Sequence, residues 1–509
     1  MTTELSFSFL LGKVFGRFLG PLKDSQGAGE IDRELPFAVM LFTLMAASGV
    51  NIYDGWKKMR SIKLLPIFQK EAEEVVRQVE ALGHDPLTVM SRIADNAKSK
   101  MYRDFLAGYV SSVKSGVDVV SFLKSKMRSM FEAQSAASNR AIERLGTLVE
   151  AYAVMLIVTL CAYILYIVMS SSNFFNMTSA VGMSSSGSNT MLYLFVFLAM
   201  PLLSVVFLLI AHVSRKSNLI TLKEVYKKAL FSSFPAIGIS LVFLVVPSLQ
   251  ASLSQIGMTG IVTVCFLIIS VPAWLSYRKI AKANFTAEDS MPSFLRDVSE
   301  ARKIGLSPEK SIIHASKRSS YGSFANVLGL VRSQIEWGVS LRKIFENVKQ
   351  KIRSWPVLVH FFILAETVEI GGGSAAALEI LSEYSEKSKE IESNKRATLH
   401  PYVIIAFIWS ALIALTTTIV AMTIYILADM SLPGMTTQVP LTSVHEQLLV
   451  LSIGIILQCW LSGFFIGKIS EGSLAAGFKY SAVLAVTAYV SLLVSQTLLT
   501  GIYAISPPT

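Results

Sequence analysis

Six glycines punctuate the chain in two sets of three, and each has a residue suited to capping a helix close behind it. Gly49 with Asn51, Gly83 with Asp85 and Gly116 with Asp118 form the first set; Gly305 with Ser307, Gly338 with Ser340 and Gly371 with Ser374 form the second. Glycine tolerates the left-handed conformation just past a helix end, while an Asn, Asp or Ser side chain accepts from the first free amides of the next helix. Each pair therefore reads as the corner of a helical hairpin, with Ile335–Ile344 (IEWGVSLRKI) as the clearest example. Successive glycines stand 34 and 33 residues apart in the first set and 33 and 33 in the second. Pro36 and Pro292 each precede their first corner glycine by 13 residues, so an offset near 255 holds across more than a hundred residues. The pattern predicts a duplicated helical lobe.

Each lobe runs into an apolar segment, near Tyr152 and near Tyr402. A chain of 509 residues that is 52% hydrophobic, with mean hydropathy +0.53, is too apolar for an ordinary soluble protein. Spans are predicted at 151–169, 191–213, 229–249, 256–274, 402–427, 448–466 and 480–502, each near the about 20 residues that cross a bilayer. Pro235 and Pro247 predict kinks in the third. Basic loops after the second, fourth and sixth spans, against a first loop (170–190) with no charge, place both lobes and the N-terminus in the cytoplasm and the C-terminus outside. The expected organisation is a lobe over 1–150, four spans over 151–277, a second lobe over 278–400 and three spans over 401–509, all helical. The uncharged run 36–50 is too short for a span. Its repeat partner carries Arg296, Asp297, Glu300, Arg302 and Lys303, so both copies are expected outside the bilayer.

No catalytic, cofactor or metal constellation emerges. There is no nucleotide-binding G-x-x-x-x-G-K-[ST]; His445-Glu446 begins a zinc-protease pattern without its second histidine; Cys161, Cys265 and Cys459 have no paired spacing. None of the spans carries a charge at its centre, which speaks against an ion-coupled transporter. The net charge of +11 fits basic cytoplasmic loops better than nucleic-acid binding. Asn176-Met177-Thr178 is an N-glycosylation sequon in an outside loop. Lys124-x-Lys126-x-Arg128 and Lys349-x-Lys351-x-Arg353 share a spacing, and read equally as a solvated face near anionic headgroups or as docking for an acidic protein surface. Gly371, Gly372 and Gly373 lack the preceding strand and following lysine of a phosphate loop, and read as a helix corner.

Pro292-Ser-Phe-Leu-Arg-Asp, the corners Gly305-Leu-Ser-Pro and Gly338-Val-Ser-Leu, and Glu369-Ile-Gly-Gly-Gly resemble the inner-membrane platform proteins of type II secretion and type IV pilus machines, as do Pro36-Phe, Gly83-His-Asp-Pro and Ser115-Gly-Val-Asp in the first lobe. Four spans between the lobes and three after them resemble the archaeal branch, the archaellum assembly protein (FlaJ/ArlJ) and its pilus relatives. The resemblance implies a non-enzymatic platform in the cell membrane, forming a homodimer and working with a hexameric secretion ATPase and with pilin- or archaellin-like subunits. It further implies an ATPase contact, for which Gly338, Glu366, Glu369, Gly371, Gly372, Gly373 and the two basic clusters are the candidates. A related type II secretion or Tad-type platform, a multi-pass transporter and a helical-repeat scaffold are the alternatives.

Overall fold

A computed structural model describes residues 20–171, 193–215, 222–245, 257–371, 373–429 and 441–503, and among these the backbone is helical with no strand. The first repeat comprises α1 (Gly20–Ala47), α2 (Ile52–Met59), α3 (Pro66–Glu80), α4 (Pro86–Asn96), α5 (Lys100–Lys114) and the start of α6 (Val119–Ser171). α7 (Met200–Ser214, led by a short π-turn at Phe195–Ala199) and α8 (Lys223–Val245) follow. The second repeat begins within α9 (Gly257–Lys303) and continues through α10 (Pro308–Ser316), a 3-10 turn (Ser319–Phe324), α11 (Ala325–Glu336), α12 (Leu341–Lys351), α13 (Trp355–Gly371) and α14 (Ala375–Leu399). α15 (Pro401–Asp429), α16 (Leu441–Glu471) and α17 (Leu474–Tyr503) complete the chain.

All six corners form, with two corrections. The left-handed residues are Gly49, Gly83, Gly116, Gly305, Gly338 and Gly373; Gly371 is instead the last residue of α13. Asn51 accepts from the Tyr53 amide (3.2 Å), Asp85 from Thr88 (3.0 Å), Asp118 from Val120 (3.1 Å), Ser307 from Lys310 (3.3 Å) and Ser374 from Ala377 (3.2 Å). Ser340 occupies the N-cap position of α12 in extended backbone, yet its hydroxyl makes no capping bond. Glu369, from the end of α13, accepts from the Arg342 amide at 3.2 Å in its place.

The chain divides into two compact units, Met1–Asn139 with Ala281–Ser393, and Arg140–Ile280 with Asn394–Thr509. The first unit holds both repeats on one continuous apolar core. Every residue from Leu35 to Met45 on α1 is buried, as is every one from Val357 to Val368 on α13, so each helix is covered all round. They cover each other: Phe37 meets Trp355 at 4.8 Å and His360 at 5.7 Å between ring centroids. The uncharged run is thus protein core, covered by its own repeat, where Phe42 packs on Trp56 at 5.0 Å, and by the other. Its charged counterpart on α9 buries one face, Phe294, Leu295 and Val298, and pairs its charges, with buried Asp297 accepting from Arg318 (2.5 Å) and Tyr321 and Arg302 donating to the carbonyls of Gly373 (2.8 Å) and Leu306 (2.7 Å).

The second unit contains the apolar helices. Six helical stretches are long and apolar enough to cross a membrane, at 119–165, 195–214, 257–303, 375–420, 449–471 and 474–495, which makes this a multi-pass all-α membrane protein. The expected third span falls on α8, with Pro235 inside the helix; Pro247 lies outside the described residues. α16 is the innermost span, 61% of its apolar window being buried against 22–50% for the other five. Its polar side chains tie it to its neighbours: Ser462 bonds Tyr152 of α6 (2.7 Å), Gln458 donates to Ser204 of α7 (2.6 Å), and Trp460 donates to Ser270 of α9 (2.9 Å). Away from water such bonds hold helices together without a hydrophobic contrast to drive packing. α16 and α17 form a hairpin so close that a Cβ on Gly463 would strike the backbone of Ser481, and one on Gly467 that of Gly477. At its turn, left-handed Gly472 accepts from Lys468 (2.9 Å), Arg215 donates to the carbonyls of Ile469 and Ser470, and Glu471 accepts from Tyr277 and Tyr480, both at 2.9 Å.

Gly467→Leu should therefore split the hairpin, costing about 3 kcal/mol by overpacking against backbone that cannot yield. Gly329→Ala, on α11 with open space around it, should gain about 0.5–1 kcal/mol from helix propensity alone. Thermal unfolding of the detergent-solubilised chain should move its midpoint down in the first variant and slightly up in the second.

Candidate functional site

The candidate residues at the start of α12 and the end of α13 meet the first repeat where α2 ends. Glu366 and Glu369, three apart on the last turns of α13, share a face. Glu366 is almost wholly buried, its side chain 3% exposed, and its Oε2 lies 3.1 Å from Lys58 Nζ. The contact is an ion pair, poorly aligned for a hydrogen bond. Arg342 donates its backbone amide to Glu369 and its guanidinium to Ser61 Oγ at 3.3 Å. A carboxylate at the first turn of α12 also complements the positive end of that helix. Glu369 therefore replaces the Ser340 cap with a charge, and Arg342 reaches from the capped turn to the other repeat.

At the opposite end of α13, the indole of Trp355 donates to the Leu64 carbonyl at 3.2 Å and carries the Arg33 guanidinium 4.5 Å from its ring centroid. His360, one turn further along α13, contacts Pro356 O through Nδ1 at 2.7 Å. Because a carbonyl can only accept, Nδ1 carries a proton. Tyr384 packs on it at 5.8 Å. Burial pushes the His360 pKa down to about 4, and desolvation holds the Tyr384 phenol well above its ordinary value. Both groups serve as packed, uncharged rings.

The candidates do not form one patch. Gly338, Glu366, Glu369, Gly371 and Gly373 gather around the start of α12 and the end of α13; Gly372 lies outside the described residues. Lys349, Lys351 and Arg353 sit at the opposite end of α12, about 16 Å away at the helical rise of 1.5 Å per residue. Lys349 faces Glu346 at 3.9 Å, and the Arg353 amide donates to Asn284 at 2.7 Å. Lys124, Lys126 and Arg128 lie on α6, with Lys124 and Arg128 exposed and Lys126 half-buried. The shared K-x-K-x-R spacing does not reflect the duplication: the two clusters stand 225 residues apart and occupy different helices of their repeats. Asn176 lies outside the described residues. The pairing of Lys58 with Glu366 had no sequence signal, since their repeats meet only in the folded core. The close α16–α17 packing had one, in the small residues Gly463 and Gly467, and Gly477 and Ser481, each pair four apart.

A duplicated helical unit joined to a multi-pass membrane bundle defines an all-α class of membrane protein. The chain matches the family model of the type II secretion system (T2SS), protein F, twice, over residues 38–167 and 294–422, together just over half its length. It belongs to that family of secretion- and pilus-type assembly platforms. It is also 22% identical, over 489 residues, to an uncharacterized protein of Methanocaldococcus jannaschii, covering 91% of this chain and 79% of that one. No solved structure matches it.

Two outcomes follow from the junction of the repeats. Lys58→Met leaves the Glu366 carboxylate buried without a counter-charge and should cost about 1–3 kcal/mol, discounted because Lys58 is a third exposed; Glu366→Leu added to it should recover most of that. Denaturant unfolding of the two variants against wild type measures both. For His360, the unfolded imidazole takes a proton at its ordinary 6.5 while the folded one resists until about 4, so stability declines as pH falls through that window and levels off below it. The span corresponds to at most about 3 kcal/mol. Melting curves between pH 7 and pH 4 should flatten in His360→Phe, which keeps an aromatic ring against Phe37 and Tyr384.

Proposed function

We propose that this protein is the non-enzymatic platform of an archaellum or archaeal type IV pilus assembly machine, coupling a cytoplasmic secretion ATPase to the insertion of pilin-like subunits. One observation carries the reading: every passage of the chain between its two units falls inside an unbroken helix. The boundaries at 139/140, 280/281 and 393/394 lie within α6, α9 and α14. Along α6 and α9 a displacement imposed on the duplicated unit is then delivered to a span through hydrogen-bonded helix, while α14 carries it as far as the bend at His400 before α15. Both repeats sit in the cytoplasm, as the basic loops imply, and the protein works as a homodimer. Gly338, Glu366, Glu369, Gly371, Gly372 and Gly373, with the clusters at Lys124, Lys126 and Arg128 and at Lys349, Lys351 and Arg353, form or border the ATPase contact.

A transporter has less support. The cleft between α6, α15 and α16, lined by Tyr152, Trp409, Gln458 and Cys459 among others, holds about 30 Å³, room for one water, where small-molecule sites occupy several hundred. The test is co-purification from native membranes: the tagged chain should bring down a secretion ATPase and pilin-like subunits, and alone should turn over no ATP. Recovery of neither partner, or ATP turnover by the purified chain, refutes the reading. Reversing charge at Lys349, Lys351 and Arg353 together should slow ATPase association at low salt and have little effect at high salt, as exposed charges act mainly on encounter rates.

A further inference from the structure

Among the described residues of the duplicated unit, four large hydrophobic side chains are exposed: Leu82, Val117, Ile304 and Trp337. Each adjoins a left-handed corner glycine, Gly83, Gly116, Gly305 and Gly338 respectively. Ile304 is 81% and Trp337 84% exposed, in a unit whose other large apolar groups are turned inward. Leu82 and Trp337 occupy the same position of the two repeats, immediately before the second corner glycine, and Leu82 is itself 62% exposed. The corners that carry Ile304 and Trp337 are held together, the first by Arg302 on the Gly373 carbonyl and the second by Glu369 on the Arg342 amide, both from the α13–α14 turn. Around them Glu309 and Glu336 alternate with Lys310 and Lys343, all exposed.

An exposed tryptophan within a polar rim of both signs has the composition of a protein contact, an apolar centre with tryptophan as anchor. We infer that these corner tips are where the duplicated unit grips its motor, with Trp337 and Leu82 entering two copies of one apolar socket on a homo-oligomeric partner. The duplication argues for that occupant. Two repeat-related knobs at matching positions fit a partner that offers the same surface more than once, as identical subunits in a ring do. The inference rests on the ATPase coupling proposed above and moves the anchoring contact from the basic clusters to the tips. Lys349, Lys351 and Arg353 then steer the encounter, while the tips determine how long the complex lasts.

The test uses the full-length chain in detergent and the purified hexameric secretion ATPase of the same organism, with binding followed by biolayer interferometry. Trp337→Asp should weaken binding about tenfold, chiefly by faster dissociation, and Leu82→Asp with Trp337→Asp by more than about a hundredfold as the two-point attachment is lost. Melting temperatures should stay at the wild-type value, since both side chains are solvent-facing, and Trp337→Tyr should retain most of the affinity. Wild-type affinity in the double variant overturns the assignment and leaves the platform reading intact. Failure of the wild-type chain to bind the ATPase removes both. A change in the chain's own oligomeric state, by light scattering, with ATPase binding unaltered, would make the tips a self-contact and also overturns it.

Discussion

The architecture depends on the mutual burial of α1 and α13. Neither helix has a polar face over its central stretch, so neither can lie on the surface of a six-helix lobe. Each buried Leu, Phe or Met there contributes about 1.5–3 kcal/mol relative to exposure. A run of them from each repeat outweighs the cross-repeat ion pair of Lys58 with Glu366 many times over. The two repeats therefore share one core, and the polar contacts along their seam, Arg342 to Ser61 and Trp355 to Leu64, set register more than strength. The duplication is asymmetric in its details: the uncharged helix is the first of repeat one and the fifth of repeat two.

Glycine does two unlike jobs. At the corners it supplies a left-handed residue with open space around it, as at Gly338, where a helix must end and the chain reverse. In the α16–α17 hairpin it supplies the absence of a side chain, letting Gly467 lie on the backbone of Gly477. The first use bounds helices, while the second brings two spans closer than any Cβ allows. Around that hairpin turn, Arg215 and Lys468 neutralise the carbonyl end of α16 and Glu471 collects two tyrosines, so the tightest contact of the second unit is also its most polar end.

These features suit a part that is pushed. Ion pairs and caps fix the ends of short helices, a shared core joins the repeats, and α6, α9 and α14 pass from one unit to the other unbroken. In the proposed reading, the side chains left over at the corners make the contact with the source of the motion.

How much of this was legible beforehand depends on range. The corners, their caps, the period and the duplication could be read directly, because left-handed glycine, Asx and Ser caps and apolar periodicity act within a few residues of chain. Six of the seven expected spans could be read for the same reason, and so could the family resemblance those motifs carry. Corner details failed only where a distant group intervened: Ser340 is a good cap by sequence, but Glu369 was closer to the amide once α13 folded beside α12. The candidate site was read in residue type and not in grouping. Lys349 and Gly338 are neighbours in the chain yet stand at opposite ends of a helix, and the two K-x-K-x-R clusters share a spacing without sharing a place. Sequence by itself determined where the chain turns and that the set of turns occurs twice, since those are matters of local backbone energy. Only the tertiary structure decided that the two sets close on one core, and which apolar side chains that core left outside, because burial is settled by contacts between residues hundreds of positions apart.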